Sequence, residues 1–258
     1  MELRIMSTEI IKPSSPTPHH LKTYKLSLID QSNHDVYFPL LLFYDSGVDK
    51  KNTKISEHLK KSLSQTLTHY YPFAGRLKDD FSIDCDDSGV TFIETHVAIR
   101  MSEVLKTTDQ MDMLEKLLPF NPNEKVSTDV NLAVQLNYFD CGGLAICVCF
   151  RHIIADASAA AYFVKNWSEV ACGSSDGIED VIFDSTSIFP PHELTRKIFT
   201  SLRNKRPSVE FTRKRFVFDG NKIAALREEI KSIRPSLDPP TRFEAVAALI
   251  WGALIGNG

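Results

Sequence analysis

The stretch Gly142-Gly143-Leu144-Ala145-Ile146-Cys147-Val148-Cys149-Phe150-Arg151-His152-Ile153-Ile154-Ala155-Asp156 decides how this chain is read. From Leu144 to Phe150 the residues are apolar without a break, and a glycine pair stands in front of them. Such a run predicts a strand buried on both faces. Asp156 stands where a side chain can cap the next helix, in which Phe163, Trp167 and Val170 share one face. A buried strand thus delivers its carboxyl end into a loop and a helix start, a common place for chemistry in α/β proteins. The loop carries His152 and Asp156 in an H-x-x-x-D spacing. Histidine is the usual general base near neutral pH because its unperturbed pKa lies close by. The spacing alone is weak, and a structural histidine fits it equally well.

Outward from this centre, Leu132 to Asn137 alternates apolar and polar residues, which predicts a half-buried strand. Val36 to Tyr44 is apolar and aromatic around Pro39, as in an interrupted or edge strand. Ile55, Leu59, Leu63 and Leu67 recur at helical spacing, and the helix should stop at Tyr70-Tyr71-Pro72. Phe81 to Ile93 reads as a hairpin around Asp86-Asp87-Ser88-Gly89. Downstream, Gly173 to about Glu210 reads as a connecting segment, followed by a strand at Phe211 to Phe218 and a charged helix from about Asn221 to Ile233. Pro239-Pro240-Thr241 then opens an apolar helix through Phe243 and Trp251. An apolar helix wants something to pack against, so the reading expects a chain missing its second half.

Composition excludes several classes. The net charge of −3 gives no bulk attraction to nucleic acid or anionic membrane. Basic residues gather at Arg203, Lys205 and Arg206 and again at Arg213, Lys214 and Arg215, and they read as solvated charges rather than a phosphate site. The five cysteines have no C-x-x-C spacing, which argues against a disulfide framework and a zinc knuckle. No metal is expected. Met1 to Pro18 has no apolar core flanked by a basic stretch, so no secretory signal is expected, and no apolar run reaches the roughly 18 residues of a membrane span. The expectation is a soluble, cytoplasmic protein.

Five segments in order carry a family resemblance. Tyr71-Pro72-Phe73-Ala74-Gly75-Arg76-Leu77, the pair Gln135-Leu136-Asn137 and Cys141 to Ile146, His152 to Asp156, Phe216 to Asp219, and Thr241 to Ala245 with Ile250-Trp251 resemble the plant BAHD acyltransferases. Glu9 to Ser14 and Leu28 to Asp30 are most similar to the family's alkaloid acetyltransferases. Ala157 departs from the glycine that usually follows the aspartate, and the family's second motif, aspartate-phenylalanine-glycine-tryptophan-glycine, is absent from these residues.

The resemblance implies an α/β chloramphenicol acetyltransferase-like fold, a mixed sheet flanked by helices, with an incomplete second domain. It divides the chain into an acyltransferase domain at 1–180, a crossover linker at 181–210 and the start of the second domain at 211–258. It implies transfer of an acyl group, acetyl by branch, from acyl-CoA to a small alcohol or amine. His152 would be the base and Asp156 a structural residue that pairs with an arginine of the other half. The segment Tyr37 to Leu42, with Tyr37 and Leu40 as the substrate-binding residues, would line the acceptor end of a channel between the domains. No bound cofactor is implied, and full-length members are expected to be monomers. Two rivals remain at this stage. Condensation-type relatives usually show paired histidines, whereas Arg151 precedes His152 here. The other is a catalytically inactive fragment that binds ligand or partner, and the chain acting alone is expected to show little or no turnover.

Overall fold

The computed structural model describes residues 1–45, 52–106, 111–120, 129–173, 178, 181–193, 198, 215–233 and 238–256. The chain divides into two compact units, Met1–Phe211 and Thr212–Gly258. The first is built on a mixed five-stranded sheet. Its strands are β1 (Leu3–Ile11), β3 (Tyr37–Tyr44), β6 (Val90–Val97), β7 (Leu132–Phe139) and β8 (Leu144–Arg151), in the order β1-β6-β7-β8-β3. β6 and β7 run parallel, and the other pairings are antiparallel. A smaller sheet, β2-β5-β4, joins Thr23–Lys25, Ser82–Asp84 and Arg76–Leu77, and the same unit carries the short helices α1 (Leu28–Ser32) and α4 (Met111–Glu115).

β8 is buried along its whole length, as its unbroken apolar run requires. Leu144, Ile146, Val148 and Phe150 point to one face, where α2 (Asn52–His69) supplies Leu63 and Leu67 and α5 (Ala157–Ala171) supplies Phe163 and Trp167. Ala145 points to the other, with Leu41 and Phe43 of β3 and Met101 and Val104 of α3 (Met101–Lys106). Among the described residues β3 is an edge strand, so Pro39, opposite Cys149, withholds no amide from an inner ladder.

Three expectations are corrected. β7 is buried on both faces rather than half exposed. Its polar side chains face the chain at Lys116 and Leu117 instead of water. Asn137 Nδ2 donates to the Leu117 and Ala145 carbonyls at 3.1 and 3.2 Å, its Oδ1 accepts from Thr95 Oγ1 at 2.8 Å, and Gln135 Nε2 donates to the Lys116 carbonyl at 3.2 Å. Buried polar groups satisfied in this way are tolerated. The expected hairpin is a crossing between sheets: Ser82–Asp84 pairs with the small sheet and β6 with the large one. The turn is tied to the amino-terminal segment. Asp87, at φ 59°, accepts from the Thr17 amide at 3.0 Å and the Lys22 ammonium at 2.9 Å. Finally, Arg215 to Phe218 carries no strand, while 211–214 and the basic residues at 203–214 lie outside the described residues.

In the second unit, Gly220–Ile233 and Arg242–Ile255 are the expected helices. Arg227 Nε donates to the Pro240 carbonyl at 2.6 Å. Thr241 and Glu244 exchange side-chain and backbone hydrogen bonds at 2.7 and 3.2 Å, a capping box at the start of the second helix.

Candidate active site

β8 ends at Arg151, and His152 begins the turn that leads to α5. The backbone here is fixed by the residues just before β7 and β3. The Arg151 amide donates to the Asn131 carbonyl at 3.0 Å, and the His152 amide donates to the Val36 carbonyl at 2.8 Å. Asn131 is in turn held by the tyrosine-proline segment. Its Nδ2 donates to the carbonyls of Pro72 and Gly75, both at 3.1 Å. That segment owes its residue types to space. A Cβ on Gly75 would lie 2.4 Å from the Asp84 carbonyl oxygen. Phe73 fills the gap under the site, its ring 5.7 Å from that of Phe150 and 5.2 Å from that of Phe163. Arg76 donates to the Gly75 and Gly89 carbonyls at 2.9 and 2.8 Å. The signature therefore acts on His152 through packing and backbone bonds.

The His152 residue is partly exposed, and its Nδ1 is buried with no hydrogen-bond partner among the described residues. The imidazole lies against Phe38, with ring centroids 5.0 Å apart and planes at 59°. Phe38 stacks in turn on Phe150 at 5.6 Å. Asp156 is exposed and caps α5, its Oδ1 accepting from the Ala159 amide at 2.7 Å. It borders a cavity of about 520 Å³ beside Tyr24, Asp30, Tyr70 and Asn166. Burial raises the Asp30 carboxyl above its ordinary range, with a smaller contribution from the Asp156 charge. Burial, and then the Asp30 charge, push the Tyr24 hydroxyl up to about 12. His152 is not among the residues that border this cavity.

The two expected acceptor residues part company. β3 pairs Tyr37 with Arg151 and Leu40 with Val148. Leu40 shares with Phe38 the face that packs on the main core. Tyr37 is turned away, its ring 4.6 Å from Phe120 and its hydroxyl donating to the Val130 carbonyl. Phe38 lies inside the expected segment Tyr37 to Leu42, whereas Asp35 and Asn131 were not singled out. Strand parity separates the members of that segment, since residues 38 and 40 share a face and 37 and 40 cannot.

Comparison with known proteins fits this geometry. A model of the family described as "Transferase family" matches residues 1–256. The chain belongs to that family. Within the family, it is 52% identical over 260 residues to epi-neemfruitin B synthase of Melia azedarach, covering 99% of this chain and 59% of that protein. It is 51% identical to a limonoid 1-O-acetyltransferase of Citrus sinensis, covering 99% and 60%. It is 38% identical to stemmadenine O-acetyltransferase of Catharanthus roseus, covering 98% and 61%. Among solved structures, vinorine synthase superposes with a TM-score of 0.76 at 37% identity, over 97% of this chain and 59% of that one. The fold is thus the α/β acyltransferase fold that the motifs implied. The chain spans about three fifths of the length of these relatives.

Proposed function

We propose that His152 is the general base of an acyl-CoA-dependent O-acyltransferase, with acetyl as the acyl group and a hydroxyl of a plant specialised metabolite as acceptor. The observation that carries this reading is a partly exposed histidine just past the end of a fully buried strand, its amide held by the Val36 carbonyl and that of the preceding Arg151 by the Asn131 carbonyl. Since Nδ1 is enclosed, Nε2 is the nitrogen left to take the acceptor's proton. The freed oxygen attacks the thioester carbonyl, the carbon–sulfur bond breaks, and the departing CoA thiolate recovers the proton from the imidazolium. Phe38 and Leu40 form the apolar wall on the acceptor side, and Tyr37 anchors the strand from behind.

Asp156 acts as a structural cap rather than as a partner of His152, since it accepts from Ala159 while Nδ1 has no partner among the described residues. The three relatives named for limonoids are 50–52% identical to the chain, while an epi-neemfruitin B 7-O-acetyltransferase is 37% identical and the alkaloid relatives 37–39%, which supports a limonoid-like alcohol over an alkaloid. The reaction is assigned to the cytoplasm. Among the described residues no helix is long and apolar enough to cross a membrane.

The test is release of CoA thiol from acetyl-CoA with limonoid and alkaloid alcohols as acceptors. His152→Ala should lower turnover by about 10²- to 10⁴-fold, the usual contribution of a positioned base. Unchanged turnover in that variant would remove His152 from the chemistry.

A further inference from the structure

The two residues that precede the partners of the His152 backbone bond are themselves joined. Asp35 precedes Val36, whose carbonyl accepts from His152, and Arg151 precedes His152. Arg151 Nε donates to Asp35 Oδ1 at 2.6 Å and Nη2 donates to Oδ2 at 2.8 Å. The arginine side chain is 7% exposed and the aspartate side chain 28%. A planar guanidinium fork on a carboxylate fixes orientation as well as distance. Burial works against the charge of Arg151, but the hydrogen bonds and the negative charge of Asp35 outweigh it and raise its pKa.

Ion pair and backbone bond together close a ring across the ends of β3 and β8. The strands are already in register over all eight residues of β3, so pairing them needs no clamp at this end. Strand ends are where ladders open most easily, and His152 lies one residue past the end. Among the described residues nothing bonds the imidazole at Nδ1, so its place depends on its backbone and on the contact with Phe38.

We propose that Asp35 and Arg151 form a positioning clamp that sets where the His152 imidazole stands, acting through the backbone without touching substrate. This rests on the reading of His152 as the base. An arginine replaced by an apolar residue, or an aspartate made neutral, should leave the sheet intact and let the turn after β8 move.

The experiment is NMR on the chain as it stands, following amide exchange and the imidazole ¹⁵N signals. Asp35→Asn and Arg151→Met should each speed exchange at the His152 amide by roughly tenfold or more, the loss expected for a charge-assisted bond. Each should also shift the His152 ring nitrogens, while the Val148 amide in mid-strand stays protected. Arg151→Lys, which keeps the charge but not the fork, should fall between wild type and Arg151→Met. A lone buried charge can unfold a domain, so the double variant Asp35→Asn/Arg151→Met is measured alongside and should match the singles. Unchanged His152 signals in any folded variant would overturn the clamp. So would loosening of the His152 and Val148 amides in step, since the pair would then merely stabilise the sheet. The base assignment fails separately, by turnover that survives His152→Ala with these spectra as expected.

Discussion

Two helices of nearly equal length share their local code and differ in what they bury. α5 has 15 residues and the helix Arg242–Ile255 has 14. Each opens on a side-chain cap, Asp156 accepting from Ala159 and Thr241 from Glu244. Each is rich in apolar residues. In α5, Phe163 is fully buried and Trp167 is 4% exposed. In the other, Ala245 is the only buried residue, with Phe243 82% and Trp251 66% exposed. A cap and helix-forming residues specify where a helix starts, and tertiary packing specifies what it contributes to stability. α5 also carries a polar tie to α2, Trp167 Nε1 donating to Ser62 Oγ at 3.0 Å.

Mutation can break or sharpen this contrast. Phe163→Ala should cost about 3–5 kcal/mol in urea unfolding, the usual range for removing a buried phenylalanine. Trp251→Ala should stay within about 0.5 kcal/mol, as for a surface change. Equal losses would mean that the two helices are packed alike. The caps should behave as equals: Asp156→Ala and Thr241→Ala are each expected to cost about 1 kcal/mol, read from amide exchange in the first turn of each helix. A much larger loss at Asp156 would show that its carboxylate does more than cap.

The smallest effect concerns protonation. Backbone and side-chain hydrogen bonds from Thr241 hold the Glu244 carboxyl below its ordinary value. A depressed carboxylate contributes stability above its unfolded pKa, about 4.3 for glutamate, and loses it as pH falls through the folded value. Acid should therefore fray the start of this helix, and in Thr241→Ala an NMR titration of Glu244 should move only part of the way back to the ordinary value, since the backbone amide at 241 still donates to the carboxylate.

The main elements were legible because their signals are local. The apolar run of β8, the cap at Asp156, the four-residue spacing of α2 and the proline of an edge strand each depend on near neighbours in the chain. What was missed depends on distant partners. The alternation in β7 looks half exposed until Lys116 and Leu117 supply carbonyls for Gln135 and Asn137. The turn residues around Asp87 look like a hairpin until Thr17 and Lys22 claim the aspartate and the flanking strands join different sheets. At the site, His152 and Asp156 are visible as a motif. The orientation of Tyr37 and the pairing of Asp35 with Arg151 become visible only with the β3–β8 register.

The amides of Gln135 and Asn137 do more than tolerate burial. Sliding β7 by a single residue would swap its two faces. Both amides would then be driven among Leu63, Phe92 and Phe163, while Leu136 would meet the carbonyl of Leu117. Misalignment is therefore penalised twice, by stranded donors and by hydrocarbon pressed on a carbonyl, which fixes the threading of the strand beside β8.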